Sequence, residues 1–181
     1  LIDEDSRQEI ISGLGTGNDK VQNNSIEVSN GTISEKIIGG MSEGDGDIDS
    51  NSITISGGKM RDAVYGAYTE GSGIVAYNSV TLTDGLLNGE VYGGASTKNG
   101  IAEYNSVTVS GGTINMLATG GVSMDNVARY NNVTVTGGTI KGSIYGGMSE
   151  INAIENKVMI SGGNIGGDVY GAESKTESSA T

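Results

Sequence analysis

Short stretches of the chain alternate apolar and polar residues. Val107 and Val109 share one face, while Ser106, Thr108 and Ser110 share the other. A period of two is that of a strand with one face buried, not of a helix. A Gly-Gly pair follows four such stretches, at 57–58, 111–112, 137–138 and 162–163. It predicts a corner, because glycine reaches φ values that a bend needs. Beyond the corner a second short strand carries one apolar residue: Ile33, Met60, Leu87, Ile114, Ile140 or Ile165. A third strand holds Ile37, Val64, Val91, Ala118, Ile144 or Val169, and a further Gly-Gly or Gly-Ala pair after it reads as a second corner. A polar stretch of variable length, such as Thr97-Lys98-Asn99-Gly100, then leads to an apolar pair and an asparagine.

That asparagine recurs as Asn24, Asn51, Asn78, Asn105, Asn131 and Asn156, at spacings of 27, 27, 27, 26 and 25 residues. A partial unit precedes them, with Ile10-Ile11-Ser12-Gly13-Leu14 matching Ile37-Ile38-Gly39-Gly40-Met41. A fixed period of this length predicts a solenoid whose units cannot bury their apolar faces alone. The expected fold is all-β: a parallel β-solenoid, right-handed by the general rule for parallel connections, of about six and a half coils of 25–27 residues. As one domain over 1–181 it divides into a partial coil at 1–23, coils at 24–50, 51–77, 78–104, 105–130, 131–155 and 156–174, and a polar tail at 175–181. Stacked at the usual strand spacing these make a rod roughly 30 Å long. Val80, Val107 and Val133 should lie over one another. The asparagines share parity with the valines, so the ladder from Asn24 to Asn156 should be buried, each amide bonding the amides above and below. A helical reading fails on the abundance of glycine and β-branched residues.

Composition narrows the function. The 181 residues include 32 Gly and 8 Tyr but no Trp, Phe, Pro, Cys or His. Without cysteine there are no disulfides and no thiolate zinc sites; without histidine the commonest general base is missing. Ten basic residues stand singly against 22 acidic ones, leaving a net charge of −12. Nucleic acid and anionic membranes require clustered positive charge, so neither is an expected partner, and no run is apolar enough to insert in a membrane. The chain opens at Leu1 within a repeat, and neither end carries a capping helix. It therefore reads as part of a longer array, with further coils of the same chain or end-to-end copies as expected partners.

The unit Asn131-Asn-Val-Thr-Val-Thr-Gly-Gly-Thr-Ile-Lys-Gly-Ser-Ile-Tyr-Gly-Gly-Met-Ser149, and its copy at 78–96, resembles the repeats in passenger regions of bacterial autotransporters, the type V secreted surface proteins. The resemblance spans roughly residues 8–174. It implies an extracellular β-helix of adhesin or stalk type on the bacterial cell surface, with a host glycan or protein as partner. It implies no particular ligand.

Candidate chemistry is sparse. Asp45, Asp47 and Asp49 alternate as in a Ca²⁺ loop, but Ser50 and Ser56 stand where an EF-hand needs glycine and a bidentate glutamate; a solvated acidic loop is the plainer reading. Gly162-Gly-Asn-Ile-Gly-Gly-Asp168 has the wrong spacing for a calcium repeat and reads as a corner. Thr54, Thr81, Thr108 and Thr134, flanked by Ser56, Thr83, Ser110 and Thr136, should form an outward column, interrupted by Glu27 and Met159. Such a column suits ice, and equally suits any exposed strand face. Ile11, Ile38, Tyr65, Tyr92, Thr119, Tyr145 and Tyr170 form a second column, and Tyr77, Tyr104 and Tyr130 a third. Either they stack on themselves, covering the neighbouring glycine corner, or they offer an aromatic stripe to a glycan or protein. A β-helical polysaccharide-degrading enzyme would need acids and a base gathered on one face, and neither the acids nor Arg7, Arg61 and Arg129 stack in register. No catalytic, cofactor-binding or metal-binding residue is assigned, and the expected role is structural or adhesive, without catalysis.

Overall fold

The computed structural model describes residues 1–175. Every regular element among them is a strand, and every pairing is parallel, between one coil and the next. The chain is a β-solenoid of about six turns. Three sheets run along its length, with ten, seven and six strands.

The partition of each coil differs from the sequence expectation. The first and second predicted strands lie in one sheet, the ten-stranded one. In two coils they fuse through the corner into single strands, Ser52–Met60 and Ser79–Leu87. The apolar pair before each asparagine builds a sheet of its own, from Val21–Gln22 and Ile48–Asp49 to Asn152–Ile154. The seven-stranded sheet runs from Ile10–Gly15 through Val91–Ser96 to Val169–Ser174.

The register follows the repeat. Val80 pairs with Val107 and Val107 with Val133, while Leu87, Ile114 and Ile140 line up across the corner. Val107, Val109 and Ile114 are fully buried, each contributing about 1.5–3 kcal/mol by removal from water. They belong to one core that runs from Ile26 to Ile144 between the two larger sheets. A smaller cluster of Val21, Ile48, Ala67 and Val75 fills the corner by the third sheet. At the first end, Ile2 and Ser6 extend the ten-stranded sheet by bridging to Val28 and Ile33.

The first glycine corner is as expected: Gly58, Gly112, Gly138 and Gly163 take φ of 82°, 71°, 75° and 90°, a region costly for any residue with a Cβ. The second Gly-Gly pair takes no positive φ. Gly39-Gly40, Gly93-Gly94 and their equivalents lie inside extended strands, where they let the seven-stranded sheet press against the start of the ten-stranded one. A Cβ on Gly93 would sit 2.7 Å from the Ser106 nitrogen and 2.8 Å from its carbonyl oxygen. A Cβ on Gly94 would meet the Asn105 amide, 2.8 Å from its Nδ2. The two glycines solve different problems: the first makes room for backbone, the second for the ladder side chain. Ala67, fully buried in register with Gly40, shows that the second position admits a methyl group.

Candidate functional site: columns along the solenoid

Asparagines at one interior corner form the most regular polar feature. Asn51, Asn78, Asn105 and Asn131 are fully buried; Asn24 and Asn156, in the outer coils, are half-buried, so the expected burial holds for the interior four. Asn105 shows the pattern. Its Oδ1 accepts from both the backbone N–H and the side-chain Nδ2 of Asn78, each at 3.0 Å. Its own Nδ2 donates to Asn131 Oδ1 at 3.1 Å and to the Val75 carbonyl at 2.8 Å. The same double contact links Asn24 to Asn51, Asn51 to Asn78 and Asn131 to Asn156. The amide ladder thus also grips the backbone, and no interior amide proton is orphaned.

To turn the asparagine inward, the residue before it adopts the left-handed conformation. Asn23, Ser50, Tyr77, Tyr104, Tyr130 and Glu155 have φ between 53° and 59°. For a residue with a side chain this costs roughly 1–2 kcal/mol. At three of these positions the exposed tyrosines recover part of the cost by stacking: Tyr77 on Tyr104 and Tyr104 on Tyr130, both with centroids at 4.9 Å. The Arg129 guanidinium adds a contact 5.9 Å from the Tyr130 ring and an ion pair at 2.7 Å with Glu103 of the preceding coil.

The other tyrosine column falls in the expected register, from Ile11 through Ile38, Tyr65, Tyr92, Thr119 and Tyr145 to Tyr170. Tyr65 and Tyr92 stack at 4.9 Å and Tyr145 and Tyr170 at 5.1 Å. The column is therefore two stacks, broken at the buried Thr119. Burial, followed by the charge of Glu90, pushes the Tyr65 hydroxyl up to about 12. Burial raises Tyr92 too, followed by its hydrogen bond to Glu90.

Threonines 54, 81, 108 and 134 are in register, with Glu27 and Met159 at the two ends. Thr81, Thr108 and Thr134 are half-buried and Thr54 is exposed. In the flanking column Thr83 and Ser110 turn their hydroxyls back to carbonyls of the preceding coil, Ile55 and Leu82, at 3.4 and 3.5 Å.

In the acidic loop Asp45 and Asp47 are exposed, and each carboxylate also has a partner in a neighbouring coil. Asp45 accepts from the Ser72 backbone N–H at 2.9 Å and from its hydroxyl at 2.8 Å, and these bonds hold its carboxyl below the usual range. Asp47 accepts from the Ile74 N–H at 2.9 Å, and Asp49 lies 3.3 Å from Lys20. The three carboxylates staple neighbouring coils and do not converge; among the described residues no group of three or more acidic side chains is placed to hold a metal ion. No helix of the described residues is long and apolar enough to cross a membrane.

One column went unforeseen. Ser42, Thr69, Ser96, Ser123 and Ser149 are buried at the far end of the seven-stranded sheet. Their hydroxyls anchor the variable loops: Ser123 donates to the Gly100 carbonyl at 2.8 Å and Ser149 to that of Asn126 at 2.6 Å. The signal was a Ser or Thr closing the third strand of every coil after the first, where Gly15 stands, but serine in a polar stretch reads as surface. Comparison with known proteins places the chain beside none of them: no family model, curated protein or solved structure matches it.

Proposed function

We propose that this chain is a rod segment of a secreted bacterial surface protein, a scaffold of stalk or adhesin type that carries no catalysis of its own. The observation that supports this most strongly is the continuity of the inner columns. The asparagine ladder runs unbroken from Asn24 to Asn156. Material invested in identical coils sets length and stiffness. Parallel edges of the first and last described coils present strand groups to which a further coil pairs, from the same chain or from another copy. The motif resemblance to autotransporter passengers supplies the location. The test is labelling of intact bacteria expressing the native protein, with antibody against this segment. The reading expects label on unbroken cells and its loss on mild external proteolysis; label that appears only after lysis overturns it.

A second reading, glycan adhesion through tyrosine, draws on the exposed stack of Tyr77, Tyr104 and Tyr130. Glycan-array binding that survives in the Tyr104→Ser and Tyr92→Ser variants would set it aside.

A further inference from the structure

Two rows on the outer face of the seven-stranded sheet enclose a groove. The Leu14, Met41, Tyr68, Ala95, Val122, Met148 row is large everywhere except at Ala95 and Val122. Those two small residues leave a depression of about 100 Å³, walled by the Tyr65–Tyr92 stack on one side, by Tyr68 at one end and by Met148 at the other. Tyr68 stands edge-on to Tyr65, with centroids 5.2 Å apart and planes at 63°. A cavity of about 150 Å³ holds a benzene ring, so this one suits a single flat side chain and is too small for a sugar chain.

The rim is acidic. The Tyr68 hydroxyl donates to Glu70 at 3.2 Å and the Tyr92 hydroxyl to Glu90 at 2.5 Å. Glu9 and Asp62 also act on Tyr68 and Tyr65. The facing cation is Lys36, 6.0 Å from the centre of the Tyr68 ring. An apolar occupant would strip water from these carboxylates and give nothing back. A guanidinium slides flat along aromatic faces and donates in its own plane to carboxylates at the rim.

We propose that the groove walled by Tyr65, Tyr68 and Tyr92 is a docking site for an arginine side chain of a partner protein. The chain's net charge of −12 draws such a basic segment to it. The site is independent of the rod reading, since a rod whose groove stays empty is still a rod.

The test is NMR of the tyrosine ring protons, titrated with a hexapeptide of glycine and serine carrying one arginine, and with the same peptide carrying norleucine. Saturable shifts of Tyr65, Tyr68 and Tyr92 are expected with the arginine peptide, at an affinity about tenfold above that of the norleucine peptide. The double variant Glu70→Gln, Glu90→Gln keeps the shape and should erase that preference. Ala95→Met, which fills the floor with a residue native to this row, should abolish the shifts. Equal binding of the two peptides makes the groove merely apolar and overturns the proposal. So does the absence of saturable shifts, or binding that ignores the glutamine substitutions in a protein that still melts as the wild type does.

Discussion

Asn105→Ala removes a side chain that serves four partners in a site with no solvent exposure. The Asn78 backbone N–H and Nδ2 each lose an acceptor at 3.0 Å. The Val75 carbonyl loses its donor at 2.8 Å, and Asn131 Oδ1 keeps only the Asn105 backbone N–H, at 2.9 Å. Asn78 Nδ2 still donates to the Ile48 and Ala76 carbonyls at 3.1 and 2.8 Å, so the one orphaned donor is the Asn78 backbone N–H, at a cost of about 1–3 kcal/mol. A water entering the vacated space would satisfy part of this and draw the loss toward the lower figure. Asn105→Asp keeps an acceptor for Asn78 but turns an oxygen toward Val75 O and Asn131 Oδ1, both acceptors. Its charged form is disfavoured in the fold, so its carboxyl is held above the unfolded value near 4. That variant should match wild type best in acid and lose stability as pH rises through the unfolded value toward the folded one. Urea denaturation followed by circular dichroism measures both effects, with Lys98→Ala as the exposed control. Amide exchange at Val107 and Val133 shows whether damage stays near its coil, as nearest-neighbour stacking requires. Losses for Asn105→Ala as small as those of Lys98→Ala would refute the ladder's energetic role.

Three further outcomes follow from particular contacts. Gly93→Ala, whose Cβ would press on the Ser106 backbone, should cost about 1–3 kcal/mol or more, whereas Gly94→Ala should stay below about 1 kcal/mol because Ala67 is accommodated in that column; equal costs by denaturant titration would contradict the separate roles. Tyr104→Ala loses two stacking contacts and keeps the left-handed strain, so it should be less stable than Tyr104→Gly by about 1 kcal/mol in thermal melts, and the reverse order would refute the strain argument. Tyr65 holds its proton more tightly folded, with a pKa of about 12, than unfolded, near 10. Its contribution is full below pH 10 and lost as pH climbs through 12, so Tyr65→Phe should blunt alkaline unfolding in that window, and an unchanged alkaline midpoint would count against it.

Much of this was legible because a repeat fixes register by itself. Once Asn78, Asn105 and Asn131 are aligned, Val80, Val107 and Val133 must stack, and the tyrosine and threonine columns follow. What could not be read is what each column faces. Glycine serves equally as a corner and as a gap for a neighbour; only with Asn105 and the Ser106 backbone lying opposite does Gly93-Gly94 become a packing pair. A tyrosine carries no hint of a left-handed backbone, so Tyr104 hid the turn that aims the ladder inward. The groove was hidden as well, because Ala95 and Val122 are unremarkable until Tyr68 and Met148 stand on either side of them.

The coils of this solenoid act as interchangeable units of length. Residues 51–130 comprise three coils, and duplicating them in frame after Tyr130 places Asn51 where Asn131 now follows, so every column continues. Small-angle X-ray scattering should then find a particle about 14 Å longer with an unchanged cross-section, and its thermal midpoint should be no lower than that of the parent. A wider particle, two separate lobes or a collapsed and destabilised chain would contradict that interchangeability.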